Sequence, residues 1–241
     1  MVRSAVFFSL VPPIALAIAL VLSGQLSTPN TAHAAPFTVV VYNPTGGHLS
    51  SVPLSPTSVP PNVTAGLLSQ VGTLGGPWGN TDEWPVGQMG PSSSINLAQY
   101  VSFQITPGAT IQYVSLSYSK QSFLGQGPRN AAVRTSLDGY ATNVDSVSGL
   151  NPADFDQIVF NLGSLPPTSA PIEFRIYFFN TPSTGADWAD LLSSNRGGTG
   201  LILTANHLAV VPTLSPSALL ALVVLLALIG AWGARHRPQL R

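Results

Sequence analysis

Two short stretches of the sequence place carboxylates beside tryptophan, a combination that could cut or bind a polysaccharide. They are Asp82-Glu83-Trp84 and Asp187-Trp188-Ala189-Asp190. Glycoside hydrolysis needs two facing carboxyl groups with distinct roles. The face of a tryptophan ring also packs well on a sugar ring, so the same residues could bind carbohydrate without cutting it. A solvated loop whose tryptophan covers the edge of the core is the third possibility, and all three are open at this point.

The longest turn-rich segment also carries tryptophan. Residues 75–94 are rich in Gly, Pro and Ser and hold Trp78 and Trp84. Long connections without their own secondary structure run over the surface and often carry function. We therefore predict that Trp78, Trp84 and Trp188 are the ligand contacts if the protein binds a polysaccharide.

Other chemistry finds little support in the residue types. The chain has no cysteine, which excludes disulfides, thiol nucleophiles and cysteine-bound zinc. Between the two apolar ends only His48 and His207 could act as a histidine base, and no Gly-x-Ser-x-Gly elbow accompanies them. Five residues could contribute to a calcium site or simply form turns, and both alternatives stay open: Asn143, Asp145, Asn151, Asp154 and Asp156. We predict no catalytic activity, no resident metal and no cofactor.

The charge content argues against charged polymers as partners. Charged residues make up 7% of the chain, against about 25% in an average domain. From Ala35 to Val211 there are five basic and nine acidic residues. Nucleic-acid binding needs a basic face, so nucleic acid is excluded as a partner. A surface of hydroxyl and amide groups suits a neutral polymer such as an extracellular polysaccharide.

The middle of the chain has the pattern of an all-β domain. In residues 100–106 the apolar residues Val101, Phe103 and Ile105 share one face, which is the period of a half-buried strand. In residues 111–119 the same alternation puts Val114, Leu116 and Tyr118 on one face. Other strands are predicted at 37–42, within 63–71, and at 155–162, 171–180 and 200–211. Asp138-Gly139 predicts a hairpin, and a short helical turn is predicted near 186–192. Short strands separated by turns predict a β-sandwich.

The N-terminal segment has the features of a signal peptide. Arg3 supplies the positive start, residues 14–22 the apolar centre, and Ala32-His33-Ala34 a small-residue cleavage site. We predict cleavage between Ala34 and Ala35, which assigns residues 1–34 to the signal peptide.

The C-terminal segment predicts one transmembrane helix at 218–234. Seventeen uncharged residues at about 1.5 Å each nearly match the hydrocarbon core of a bilayer. Arg235 and Arg237 follow as a basic stop, which places the tail in the cytoplasm and the residues before the helix outside. The N-terminal signal peptide predicts the same orientation.

The motif ahead of this helix carries a resemblance to a known family. Val211-Pro212-Thr213-Leu214-Ser215, the apolar helix and the basic end together resemble the IPTL-CTERM tail, a variant of the PEP-CTERM sorting signals of Gram-negative bacteria. The resemblance implies that an exosortase, an integral-membrane protease or transpeptidase, is the partner that recognises and processes the tail. Prolines keep the motif extended, as such an enzyme requires.

A second resemblance concerns the exported part. The stretches "VSFQITPGATIQYVSLSYS", "VRTSLDGYAT", "PIEFRIYFFN" and "GLILTANHLAV" resemble the jelly-roll domains that often precede PEP-CTERM tails. The resemblance implies an extracellular jelly-roll-like β-sandwich at residues 35–210, followed by a sorting signal at 211–241. The protein is then predicted to be exported through the inner membrane, anchored there transiently and finally placed at the cell surface or in the matrix. Its predicted role is structural or adhesive, and a carbohydrate-binding module is the alternative.

Overall fold

The computed structural model describes residues 35–46, 52–72, 82–87, 91–122, 125–182, 189–208 and 216–235. The compact unit His33–Ala209 contains all of the described strands, and Val210–Arg241 belongs to a second unit.

The described residues of the larger unit form two six-stranded sheets, in which every described strand pair is antiparallel. The first sheet has the order β1 (Phe37–Tyr42), β12 (Leu201–His207), β6 (Ile111–Gln121), β11 (Asp190–Leu192) and β4 (Glu83–Trp84), and β9 (Asp156–Asn161) also pairs with β6. The second has the order β2 (Val63–Ala65), β5 (Tyr100–Pro107), β10 (Ile172–Phe179), β7 (Asn130–Thr135) and β8 (Asp145–Ser148), and β3 (Ser69–Val71) also pairs with β5. The predicted all-β architecture is confirmed.

Alternation of apolar and polar residues builds these strands. In β5 the predicted core face of Val101, Phe103 and Ile105 is fully buried, which confirms the prediction. β10 follows the same rule, since its even-numbered apolar residues enter the core while its odd-numbered residues lie on the other face. That other face carries Glu173, Arg175 and Tyr177.

Aromatic side chains from both sheets meet in one core. Tyr42 of the first sheet lies 5.5 Å from Phe103 of the second, measured between ring centroids. Two similar contacts join β6 to β10 at 5.2 Å each: Tyr113 with Phe174, and Tyr118 with Phe178. Tilted and edge-on ring pairs of this kind add to the stabilisation from burial. The two sheets therefore pack face to face.

An irregularity in β6 changes which of its residues face the core. The pairing with β12 shifts between Thr204 and Ala205, so that Ala205 pairs with Tyr113 instead of Val114. The shift reverses the alternation locally, because successive residues of a strand point to opposite faces. Tyr113 is fully buried and Val114 is only half-buried. The prediction that Val114 shares the core face with Leu116 and Tyr118 is wrong for Val114.

The predicted hairpin lies between β7 and β8. A short 3-10 turn covers Ser136–Asp138, and Gly139 follows with a φ of 68°, a conformation that favours glycine. The Asp138 carboxylate accepts hydrogen bonds from the backbone N–H of Thr142 at 2.9 Å and from its hydroxyl at 2.5 Å. These bonds hold the pKa of Asp138 below its usual value. The tip of the hairpin is thus ordered by its own side chains.

The first and last strands of the unit are neighbours. β1 and β12 pair along their length, from Phe37 opposite Ala205 to Tyr42 opposite Leu201. The rings of Phe37 and His207 stack with centroids 4.1 Å apart and an interplanar angle of 4°. The two ends of the domain therefore leave it side by side.

Residues 190–192 form strand β11, which corrects the end of the helical turn predicted near 186–192. Residues 186–188 lie outside the described residues. Leu191 pairs with Trp84 on one side and with Lys120 on the other. Three residues are too few for periodicity to distinguish a strand from a turn. Pairing with β4 and β6 makes residues 190–192 a strand.

The apolar C-terminal segment forms helix α1, Pro216–Arg235. Over the described residues, no helix is both long enough and apolar enough to cross a membrane. The transmembrane helix predicted at 218–234 is therefore not confirmed.

Candidate functional site

Trp84, one of the three predicted ligand contacts, belongs to the core. Its side chain is fully buried in β4, and its indole N–H donates to the carbonyl oxygen of Val52 at 3.0 Å. A ring without an exposed face cannot stack on a sugar, so the prediction of a ligand contact at Trp84 is corrected. Trp78 and Trp188 lie outside the described residues.

The structure joins one carboxyl group from each of the two predicted pairs. Glu83 and Asp190 lie on adjacent strands, and 1% and 3% of their surfaces are exposed. Glu83 pairs with Arg196, with Oε1 and Nη2 2.6 Å apart. Asp190 accepts a hydrogen bond from the backbone N–H of Val86 at 3.3 Å. Desolvation by burial, followed by repulsion from Glu83, raises the pKa of Asp190 to about 8.

This carboxyl pair has no access for a substrate. Both groups are buried, and a catalytic carboxyl must come within hydrogen-bond distance of the bond that it cleaves. Asp82, the remaining described member, is used in the fold, where its Oδ1 accepts from the Gly46 N–H and from Asn195 Nδ2, both at 3.1 Å.

The five residues considered for calcium separate into two groups. Asn143 accepts from Arg134 Nε at 2.8 Å, and Asp145 accepts from the backbone N–H of Asn161 at 2.6 Å. The other three members, Asn151, Asp154 and Asp156, surround the ammonium group of Lys120. Within the described part of the chain, no three His, Cys, Asp or Glu side chains come together as a metal site.

A cluster of arginine and tyrosine side chains that was not predicted from the sequence lies on the outer face of the second sheet. The guanidinium carbon of Arg175 is 4.2 Å from the ring centroid of Tyr100 and 3.5 Å from that of Tyr140. Arg175 Nε also donates to Glu173 Oε1 at 2.8 Å. The Arg175 and Glu173 side chains keep 22% and 30% of their surfaces exposed. Charge, aromatic rings and solvent access therefore coincide at this point of the surface.

Neighbouring strands extend this cluster. Arg134 of β7 lies directly across from Arg175, and its guanidinium carbon is 5.7 Å from the ring centroid of Tyr177. The rings of Tyr177 and Tyr100 are 5.7 Å apart. Arg134 Nη1 also donates to the carbonyl oxygen of Tyr140 at 2.8 Å, which fixes the hairpin over the sheet. We call this surface the Tyr–Arg face and define it by six residues, of which Tyr177 is buried and only supports the others: Tyr100, Arg134, Tyr140, Glu173, Arg175 and Tyr177.

The Tyr–Arg face has the groups that recognise sugars. A tyrosine ring offers an apolar surface to the C–H groups of a pyranose, while carboxylate and guanidinium groups bind hydroxyl pairs. The Tyr140 hydroxyl is a donor at neutral pH like that of any tyrosine, and burial, followed by the hydrogen bond to Glu173, raises its pKa further. Side chains held by their neighbours lose little entropy when a ligand binds.

A weak signal for this face exists in the sequence. The stretch "PIEFRIYFFN" alternates, so the residues that are not in the core must share the opposite face, and these are Glu173, Arg175 and Tyr177. Tyr140 could not be found in this way, because it reaches the sheet from a turn in which its own φ is 64°.

The sorting residues lie mostly beyond what the structure describes. Ala34, the motif residues Val211, Pro212, Thr213, Leu214 and Ser215, and Arg237 are outside the described residues. Ala35 is exposed at the start of the described chain, and Arg235 is the last residue of α1.

Comparison with known proteins identifies the C-terminal segment. Residues 209–237 match the IPTL-CTERM motif, which confirms the resemblance of this part of the chain. No curated protein matches the chain in sequence.

Solved structures of carbohydrate-binding modules show a distant likeness in fold. One is a point mutant of CBM29-2, with 11% identity, a TM-score of 0.34, and coverage of 70% of this chain and 91% of that one. A family 29 module has 10% identity, a TM-score of 0.34, and coverage of 71% and 90%. A second CBM29-2 mutant has 11% identity, a TM-score of 0.30, and coverage of 72% and 89%.

Proposed function

We propose that the chain is an exported cell-surface or matrix protein with a structural or adhesive role, sorted through its C-terminal segment. The observation that carries this proposal is the IPTL-CTERM motif at residues 209–237. In this proposal residues 1–34 direct export, cleavage between Ala34 and Ala35 frees the domain, and an exosortase-type protease acts at residues 211–215. The bacterium is then Gram-negative, and the domain performs no catalysis.

The chemistry of helix α1 supports a membrane-associated stage before processing. Large apolar side chains along its middle are exposed, among them Leu220, Leu225, Leu228 and Trp232. A continuous apolar surface of this kind needs a nonaqueous environment or a partner. Arg235, the last residue of the helix, and Arg237, two positions later in the sequence, favour the cytoplasmic side. The segment would hold the protein at the inner membrane until the protease releases it.

Mass spectrometry of both termini tests the sorting proposal. The protein recovered from the cell surface or medium should begin at Ala35 and end near residues 212–214. Replacing Pro212, Thr213 and Leu214 by alanine should retain the unprocessed chain at the inner membrane, whereas Ser217→Ala, just beyond the motif, should be processed normally. Mature material that still contains Arg241 would contradict processing.

Polysaccharide binding is the second candidate function, and the Tyr–Arg face is the observation that favours it. Arg175 contacts two tyrosine rings and a carboxylate, and 22% of its side-chain surface is exposed. Such a surface combines ring stacking with hydrogen bonds to hydroxyl groups. The low charge content of the chain favours a neutral polymer over an acidic one.

Affinity electrophoresis of the full-length chain in gels containing neutral polysaccharides tests this second function. Tyr100→Ala and Tyr140→Ala should each weaken retardation about tenfold, because a ring contact contributes about 0.5–1.5 kcal/mol beyond the apolar area that it buries. Leu137→Ala, on the same hairpin and 41% exposed, is the matched control. Trp78→Ala tests the predicted loop contact independently. If no polymer retards the unmodified chain, the candidate function is refuted.

A further inference from the structure

Lys120, the only lysine of the chain, is enclosed by oxygen atoms. Its side chain has no exposed surface. The Nζ atom donates to Ser122 Oγ at 2.9 Å, to the carbonyl oxygen of Asn151 at 2.6 Å and to that of Asp154 at 3.2 Å. It lies 3.0 Å from Asp156 Oδ2, and Asp156 is its partner across the β6–β9 ladder.

Hydrogen bonds that do not involve Lys120 hold the loop that supplies the carbonyl oxygens. Asn151 Oδ1 accepts from the Ala153 N–H at 3.0 Å, and Asp156 Oδ2 accepts from the Asn151 N–H at 2.8 Å. The backbone N–H of Ser122 donates to the Asp154 carbonyl at 3.3 Å, and that of Gly127 donates to Pro152 at 2.8 Å. These bonds turn two carbonyl groups inward. The oxygens are therefore held together although they repel one another electrostatically.

Gly127 packs directly against Ser122, one of the residues around Nζ. A Cβ atom at position 127 would overlap the side chain of Ser122. Only glycine lets the 127 backbone approach closely enough to bond Pro152 while Ser122 keeps its place. Gly127→Ala should push Ser122 away from Nζ.

We propose that Ser122, Asn151, Asp154 and Asp156 form a cation-binding site and that the ammonium group of Lys120 is its resident cation. A buried lysine without partners loses its charge, and burial does lower the pKa of Lys120. The bond to Asp156 and the nearby charges of Asp154 and Asp190 act in the opposite direction. Among the described residues, four oxygen atoms lie within hydrogen-bond distance of Nζ, and two of them are backbone carbonyl oxygens that can only accept, an arrangement that satisfies an ammonium group better than a neutral amine.

The distances select the class of cation. Calcium binds oxygen at about 2.3–2.6 Å, whereas N–H···O contacts span about 2.7–3.2 Å. Three of the four distances around Nζ, at 2.9, 3.0 and 3.2 Å, lie in the N–H···O range, and the fourth, 2.6 Å to the Asn151 carbonyl oxygen, is a short bond from a charged donor. A primary alkylammonium is therefore the ligand that this site would take if the lysine were shortened.

The single lysine gives a direct test in the unmodified protein. Labelling the full-length chain with 15N-lysine gives one Nζ signal in an NMR spectrum. We expect a slowly exchanging NH3+ signal at neutral pH, because the ammonium group is buried and hydrogen-bonded. A neutral-amine signal, or exchange as fast as that of a surface lysine, would overturn the proposal.

Chemical rescue tests the site itself. Lys120→Ala removes a fragment equivalent to n-propylammonium and should lower Tm by about 10 °C, because it leaves Asp156 without its counter-charge. n-Propylammonium should restore part of the loss, whereas 1-propanol and sodium chloride at matched concentrations should not. Equal rescue by 1-propanol would show cavity filling alone and overturn the proposal, as would a Lys120→Met variant as stable as the unmodified chain. Rescue by calcium chloride but not by the amine would overturn the assigned class of cation.

If Lys120→Ala does not fold, the less disruptive variant Asp156→Asn tests the same site. Asp156→Asn keeps an oxygen beside Nζ but removes the negative charge. The Nζ titration should move to lower pH and Tm should fall by a few degrees. An unchanged Nζ titration would overturn the role of Asp156 in holding the cation.

Discussion

The guanidinium carbon of Arg175 lies 3.5 Å from the ring centroid of Tyr140, although the two residues come from different parts of the fold. Arg175 is in the middle of β10, and Tyr140 follows the 3-10 turn of the β7–β8 hairpin. The contact thus ties the tip of a hairpin to the centre of a sheet. Together with the hydrogen bond from Arg134 to the Tyr140 carbonyl oxygen, it sets the shape of the Tyr–Arg face.

Loss of this stack should be measurable as a coupling energy. Tyr140→Leu and Arg175→Lys should each lower the free energy of unfolding by about 1 kcal/mol, because partly exposed cation–π contacts contribute about that much. The double variant should lose less than the sum of the two, by about 0.5–1 kcal/mol. Urea denaturation of the four proteins measures the cycle, and exposed Arg129→Lys serves as the control. Strict additivity would show that the contact contributes nothing.

Trp84 gives a prediction that separates a core residue from a ligand contact. Trp84→Ala should lower the free energy of unfolding by about 3–5 kcal/mol, since it leaves a large cavity and an unpaired Val52 carbonyl group. Denaturant midpoints measure the effect. The conservative variant Trp84→Phe should recover most of the loss. If Trp84→Ala left the free energy of unfolding unchanged, the buried position of Trp84 would be contradicted.

Two buried tyrosines of β6 form a matched pair. The Tyr118 hydroxyl donates to the Ala189 carbonyl at 2.9 Å, whereas the Tyr113 hydroxyl finds no hydrogen-bond partner among the described residues. Tyr118→Phe should therefore cost about 1–2 kcal/mol, because it orphans a buried carbonyl group. Tyr113→Phe should be neutral or stabilising, because it removes an unsatisfied polar group. Thermal unfolding of the two variants compares them, and a larger loss for Tyr113→Phe would contradict the burial pattern.

The carboxyl group of Asp190 should make stability fall as pH rises. Its pKa is about 8 in the folded protein and about 4 in an unfolded chain, so between these values the folded state holds one more proton. The free energy of unfolding then decreases with pH over this window, by at most about 1.4 kcal/mol per unit. Asp190→Asn should flatten the slope and be more stable than the unmodified protein at pH 8.

Asp138 provides the opposite case as a control for this experiment. Its pKa is lowered by the bonds from Thr142, so the stability that it contributes is present above the unfolded value and is lost as pH falls. Asp138→Asn should therefore lower stability above about pH 4, change it little at strongly acidic pH, and remove the part of the acid-side slope that Asp138 causes. If Asp190→Asn behaves in the same way as Asp138→Asn, the buried state of Asp190 is incorrect.

The parts of the fold that follow from local pattern were predictable. Val101, Phe103 and Ile105 alternate in an uninterrupted strand, and β1 begins and ends where its apolar run does. The hairpin at Asp138-Gly139 depends on a turn that few other residues allow. In these elements the local sequence alone indicates the conformation.

The parts that depend on distant partners were not predictable. The shift in β6 arises from its pairing with β12, about ninety residues away, and Trp84 is buried because β11 lies beside it. The cluster around Lys120 combines β6, a loop and β9, so that no short window of sequence contains it. The alternation of apolar and polar residues indicates which face of a strand a residue occupies. The strands that pair with it are determined by the topology of the whole domain.

The place of β12 in the first sheet has a mechanical consequence. β12 is bonded to β1 along one edge and to β6 along the other, and the sorting segment continues from its end. Tension applied to the chain beyond His207 therefore enters the domain along the axis of this strand. Such a load shears two ladders at once instead of opening one bond after another. A cell-surface domain held by this end would resist the drag of flowing liquid at the strand where the pull arrives.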